Sequence, residues 1–253
     1  MRVPLPPALR TTPIAHRALH DVARGRPENS RAAMQAAIAA VYAIEIDVQL
    51  SSDGVAMVFH DEALDRLTNA TGLVADHTAA DLSCIPLRHG DECIPTLVEI
   101  LTLVAGRVPL LIEVKDQTGV MGETDGRLEA SLAAGLAGYW GDVAVMSFNP
   151  HAMAHMADFA PHIARGLTTS AYDPIDWAPL PAAVCDALRD IPDYDRVQAS
   201  FISHEAADLS RPRVAALATD VLCWTIRSAE QEAFARKYAC NITFEGYLAL
   251  HPA

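Results

Sequence analysis

Short runs rich in valine and isoleucine recur along the chain, each separated from the next by a stretch with helical spacing. They are PIAH (13–16), EIDVQL (45–50), PLLIEVK (109–115), VAVMSF (143–148), IARGLTT (163–169), VQASFIS (197–203), VLCWTI (221–226) and NITFEG (241–246). Runs this short suit strands, and their alternation with helices implies parallel pairing. Eight such units in 253 residues predict a closed (β/α)8 barrel, an α/β fold of the TIM type. Helices are expected over 27–42, 96–105 and 126–138, from Asn149-Pro150 to near Asp158, and over 210–218 and 228–239. Pro27, Asn29 and Ser30 suit the start of the first of these, and Ser228 caps the last.

One excursion breaks the alternation. IEIDVQLSSDGVAMVFHD (44–61) contains Asp53-Gly54, a strong two-residue hairpin signal. That turn pairs residues whose numbers sum to 107 and sets Asp47 opposite His60. Residues 61–95 are polar and turn-rich and read as an insertion on one rim of a single domain spanning 1–253. Residues 170–195 are proline-rich with little periodicity, and no element is assigned there.

Composition narrows the function. Half the residues are hydrophobic, enough for a sizeable core, yet no apolar run approaches the roughly 18 residues of a membrane span. Prolines interrupt the first dozen residues where a secretory signal needs continuous apolar sequence. Five cysteines form no CxxC pair, which argues against disulfides and structural zinc. A soluble, cytoplasmic protein is expected. Nineteen basic against 32 acidic residues, a net charge of −13, make nucleic acid a poor partner. A phosphate-bearing ligand would need local cations.

Such cations stand beside a set of acids. Side chains two apart on a strand share a face, so Glu45 and Asp47 point one way, as do Glu113 and Lys115 on the next run. Ile44, Ile46 and Val48 take the opposite parity, which fits a half-exposed strand as well as a barrel strand packed under helices. In a barrel these residues fall at the carboxyl ends of the strands, where active sites lie. Glu45, Asp47 and Glu113 then form an all-oxygen site for one divalent cation, Mg2+ or Ca2+ rather than zinc. Arg17 and Lys115 would hold a phosphate group. His16 and His60 remain to move protons, and the set fits hydrolysis of a phosphodiester. HAMAH (151–155) spaces two histidines one helical turn apart but lacks the zincin glutamate, so both read as exposed helix residues.

The chain resembles the glycerophosphodiester phosphodiesterase family in IAHR (14–17), PENS (27–30), IEIDVQLSSDG (44–54), VFHDEALDRLT (58–68), IPTLVEIL (94–101), LIEVK (111–115), SFNP (147–150) and CWTI (223–226), in order along nearly its whole length. The resemblance implies cleavage of small-molecule glycerophosphodiesters to glycerol 3-phosphate and an alcohol. It assigns His16 and His60 to acid–base work, Glu45, Asp47 and Glu113 to the metal, Arg17 and Lys115 to the phosphate, and Trp224 to the wall of the substrate pocket. Ala18 replaces the family's usual glycine, the loop 19–26 is long, and Glu245 stands for the usual aspartate; these bear on pocket shape. A lysophospholipase-D-type enzyme and a non-catalytic binder of glycerophosphodiesters are the competing readings. The former wants an apolar lip that residues 61–95 lack, and the latter has no use for two histidines. Oligomeric state is left open.

Overall fold

The computed structural model describes residues 2–251. Among these, nine strands form one sheet: β1 (Ile14–Ala15), β2 (Ala43–Leu50), β3 (Ala56–Val58), β4 (Leu110–Val114), β5 (Val143–Ser147), β6 (Ala164–Thr169), β7 (Phe201–Glu205), β8 (Asp220–Ile226) and β9 (Asn241–Phe244). All but β3 pair in parallel, and β1 bonds to both β2 and β9, so eight strands close into a ring. This is the expected TIM barrel. Around it run α1 (Pro7–Thr11), α2 (Arg31–Ala39), α3 (Ala79–Leu82), α4 (Leu97–Val104), α5 (Arg127–Leu136), α6 (Pro150–Phe159), α7 (Ala182–Arg189), α8 (Pro212–Ala216) and α9 (Ala229–Ala235). None is long and apolar enough to cross a membrane.

Strand parity divides the core. Every residue of β2 is buried, so both of its faces are covered. Ile44, Ile46 and Val48 belong to the layer between strands and helices, with Met34, Ile100 and Val104. The alternate set fills the barrel: Ile14, Ala43, Leu111, Phe201 and Leu222 form an apolar floor. Leu5 and Leu9 close that floor from below. The Asn241 side chain locks this segment in place by donating to the carbonyls of Leu9 (2.8 Å) and Thr12 (2.6 Å). Continuing up the same parity, the interior turns ionic at Glu45, Asp47 and Glu113.

The hairpin register differs from expectation by one residue. Val48, Gln49 and Leu50 pair with Val58, Met57 and Ala56, a sum of 106. Gly54 adopts φ +87° and donates to the Ser51 carbonyl (3.0 Å), while Val55 donates to the Ser51 hydroxyl (2.9 Å). The result is a three-residue loop, a turn followed by a left-handed glycine, in place of a two-residue one. Phe59, not His60, therefore stands across from Asp47 and donates to its carbonyl (3.1 Å). Met57 and Phe59 pack into a separate cluster with Leu64, Val74, Leu82 and Ile94, which gives residues 61–95 a small core of their own.

Other details differ from expectation as well. α2 starts only at Arg31, because the Ser30 hydroxyl caps it by accepting from Ala33 (3.1 Å), and Asn29 sits at φ +59° outside the helix. Residues 197–199 form a turn, their amides donating to Asp193, Asp195 and Tyr194, so β7 begins at Phe201. The proline-rich region holds α7 and packs Tyr172, Leu180 and Cys185 against Phe148 and Trp177. His151 and His155 are half-buried on α6 rather than exposed, and His155 contacts the Thr124 carbonyl (3.2 Å) and stacks on Phe159.

Gly166 pairs with Phe201 across β6 and β7, and a Cβ there would lie 2.4 Å from the Phe201 ring. The ring occupies the space that a side chain on β6 would take. Gly166→Ala should cost about 1–3 kcal/mol of stability, as overpacking does, seen as a lower urea midpoint at unchanged slope. Phe201→Leu in the same background should recover part of the loss.

Candidate active site

Asp47 and Glu113 are direct partners across β2 and β4, and Glu45 lies one inward position below Asp47. All three are buried, and each offers an oxygen within 4.8 Å of the others. Burial, with the charges of Asp47 and Glu113 added, holds the Glu45 carboxyl well above its usual range. Asp47 goes the other way: against its burial, Lys115, His60 and Arg17 hold it well below the usual carboxylate range. The Arg17 amide donates to Glu45 (2.8 Å), and Asn29 donates its side-chain amide to Asp47 (3.0 Å). Asn29 is thus free of helix capping because it serves the carboxylate.

Lys115 sits 2.7 Å from Glu113 and 3.4 Å from Asp47, and these carboxylates raise its pKa against the burial that would lower it. Arg17 lies 3.7 Å from Asp47 and 2.7 Å from Glu28. Arg17 and Ala18 both have positive φ, +50° and +64°, which turns their amides towards the side chain and carbonyl of Glu45. A glycine at position 18 would adopt this backbone without a Cβ penalty. Three buried carboxylates face two cations here, and all the donors are hard oxygens. That set fits a divalent metal ion, which would supply the missing positive charge.

Each histidine is held by a carboxylate. His16 Nδ1 lies 2.5 Å from Glu245, which also meets Arg227 (2.7 Å) and His20 (3.7 Å). His60 Nδ1 lies 2.6 Å from Asp61, which Arg66 grips through two hydrogen bonds of 2.6 and 2.7 Å. Arg66 also donates twice to Glu28, the partner of Arg17, so one network joins His60 to Arg17. With Nδ1–H directed at a carboxylate, Nε2 of each ring is the nitrogen free to act. Burial pushes the His16 pKa below its ordinary value despite the Glu245 hydrogen bond, and that bond, with the nearby His20 ring, holds Glu245 low.

His16, Arg17, Glu45, Asp47, His60, Glu113, Lys115 and Trp224 all line one cavity of about 170 Å3. The structure thus brings together every site residue read from the sequence. Trp224 forms part of the wall, its Nε1 donating to the Ser203 carbonyl (3.0 Å) and its ring meeting Phe148 edge-on. Sequence reasoning tied Glu245 only to pocket shape, without seeing it as the partner of His16, and missed Asp61, Arg66 and Arg227 as partners. Strand parity could have found Glu245, which continues the inward series Asn241 and Thr243. The two arginines lie in loops and carry no such signal.

The sequence model of the glycerophosphoryl diester phosphodiesterase family matches residues 16–243. The chain belongs to that family. It is accordingly a phosphoric diester hydrolase. A glycerophosphodiester phosphodiesterase of Caldanaerobacter subterraneus subsp. tengcongensis is 32% identical over 168 residues, 63% of this chain and 67% of that one. Similar folds include a phosphodiesterase of Oleispira antarctica, solved in complex with its product sn-glycerol-3-phosphate. It shares 24% identity and a TM-score of 0.73, over 92% of this chain and 91% of that one. A glycerophosphodiester phosphodiesterase of Agrobacterium tumefaciens gives 25% identity and a TM-score of 0.66, over 92% and 96%.

A divalent ion bound at the three carboxylates should stabilise the fold without any substrate. At a hundredfold excess over its Kd it adds about 2.7 kcal/mol, or about 5–10 °C in Tm for a chain of this size. Glu45→Gln should erase that rise in differential scanning fluorimetry and leave the metal-free protein at least as stable as the parent. A full metal-induced rise in the variant would exclude Glu45 as a ligand.

Proposed function

We propose that this protein hydrolyses glycerophosphodiesters to glycerol 3-phosphate and an alcohol, with Glu45, Asp47 and Glu113 holding one Mg2+ or Ca2+. Family membership supports the reaction class, and one observation carries the mechanism: two carboxylate-bound imidazoles share a cavity with the acids, Arg17 and Lys115. A bound divalent ion supplies Lewis-acid charge to the phosphoryl oxygens. Arg17 and Lys115 hold those oxygens and stabilise the charge that builds on them. His16, whose pKa burial lowers, takes a proton from the attacking water as its oxygen bonds to phosphorus. His60 delivers a proton to the departing alkoxide as the bond between phosphorus and that oxygen breaks. Glu245 and Asp61 keep the two rings in the tautomer these transfers need.

The alternative of a passive binder leaves two oriented imidazoles without a task. A net charge of −13 makes a polynucleotide a poor partner. Five free cysteines support a reducing, cytoplasmic setting.

His16→Ala and His60→Ala should each reduce kcat by about 10²–10⁴-fold, measured as release of glycerol 3-phosphate from glycerophosphocholine with Mg2+ or Ca2+. Near-parental rates in both variants would remove the acid–base assignment. Because His16 must be unprotonated to act and its pKa is lowered, kcat/KM should rise with pH through a midpoint below the ordinary imidazole value of 6.5. A midpoint above 6.5 would exclude His16 as the base.

A further inference from the structure

A second cavity, of about 520 Å3, opens from the first and shares His60, Glu113, Lys115, Phe148 and Trp224 with it. It lies on the His60 side, where the proposed leaving alcohol departs. Its far wall is Met121, Trp177, Pro179 and Leu180. Phe148 joins the two tryptophans edge-on, its ring 5.0 Å from Trp177 and 5.4 Å from Trp224. Next to these wall residues in the chain, Ile175 is 86% exposed two residues before Trp177, and Val120 is 52% exposed beside Met121. The loops that carry the wall thus expose apolar side chains of their own.

Most polar groups bordering this cavity are already engaged, the exceptions being the reacting ring of His60 and the exposed carboxylate of Glu62 at its edge. Asp61 is gripped by Arg66. Asp116 accepts from Thr118, Met121 and Asn149. Gln49 donates to the His60 carbonyl and accepts from Gln117. A polyol placed here would lose water and find few partners. On the opposite side of the phosphate cavity, by contrast, Thr243 is 1% exposed with a hydroxyl that has no hydrogen-bond partner, and Arg227 and Thr225 stand near it.

We propose that the substrate's leaving alcohol carries an apolar body, seated between Phe148, Trp177, Leu180 and Trp224, while the hydroxyls of the glycerol end face Thr243 and Arg227. This rests on the phosphodiesterase reading above and specifies which diesters the site selects. Apolar burial sets the expected size of the effect, about three- to fourfold in kcat/KM per methylene enclosed.

The test is a series of sn-glycero-3-phospho esters of ethanol, butanol and hexanol, with glycerophosphoglycerol and glycerophosphocholine as polar comparators. The alkanols leave with similar basicity, so chain length isolates the pocket. The expected result is a kcat/KM that climbs from ethanol to hexanol and exceeds both comparators. Trp177→Ala should flatten the climb, measured relative to the ethanol ester. Met121→Ala, a change at a partly exposed residue of the wall, should reduce it. Cleavage of the ethanol ester with no climb, or a preference for either polar comparator, overturns the inference and leaves the phosphodiesterase reading standing. Failure to cleave any ester removes that reading and the inference with it. A further arm moves the hexyl chain to the glycerol end as an ether on the ethanol ester. A gain there, without one at the alcohol end, overturns the assignment of the two sides.

Discussion

Like charge confined in a small buried space sets the terms for this protein. Glu45, Asp47 and Glu113 present oxygens within 4.8 Å of one another inside a closed barrel, where water screens them poorly. The arrangement persists because Lys115 and Arg17 reach in from the same strand ends, and because amides of Arg17 and Asn29 donate to the acids. The imbalance that remains is what suits the site to a cation. Much of the local backbone follows from this need: consecutive left-handed residues at 17 and 18, another at 29, and a helix delayed until Ser30.

The imidazoles show the same logic one layer out. Each ring takes a carboxylate on Nδ1, and each carboxylate takes an arginine in turn. The chain of contacts from His60 through Asp61, Arg66 and Glu28 to Arg17 crosses from the insertion to the first strand. The segment at 61–95 is therefore a structural partner of the phosphate-facing arginine as well as a rim of the barrel.

Strand periodicity made the barrel and its acidic site legible before any coordinates. Parity alone places Glu45 with Asp47 and Glu113 with Lys115, and parallel order places those pairs side by side. What parity does not contain is the geometry of loops. The hairpin register slipped because Ser51 uses its hydroxyl on the Val55 amide, a choice invisible in the Asp-Gly dipeptide. Asn29 looked like a cap until its side chain was found on Asp47. Arg66 and Arg227 were beyond reach, since long flexible side chains in loops have no period to betray where they turn.

The apolar floor sealed by Leu5 and Leu9 has one more effect. It makes the barrel interior a cul-de-sac. Among the described residues, the rim above the carboxylates is the way in and out, so whatever sits deepest must wait for whatever lies above it to clear.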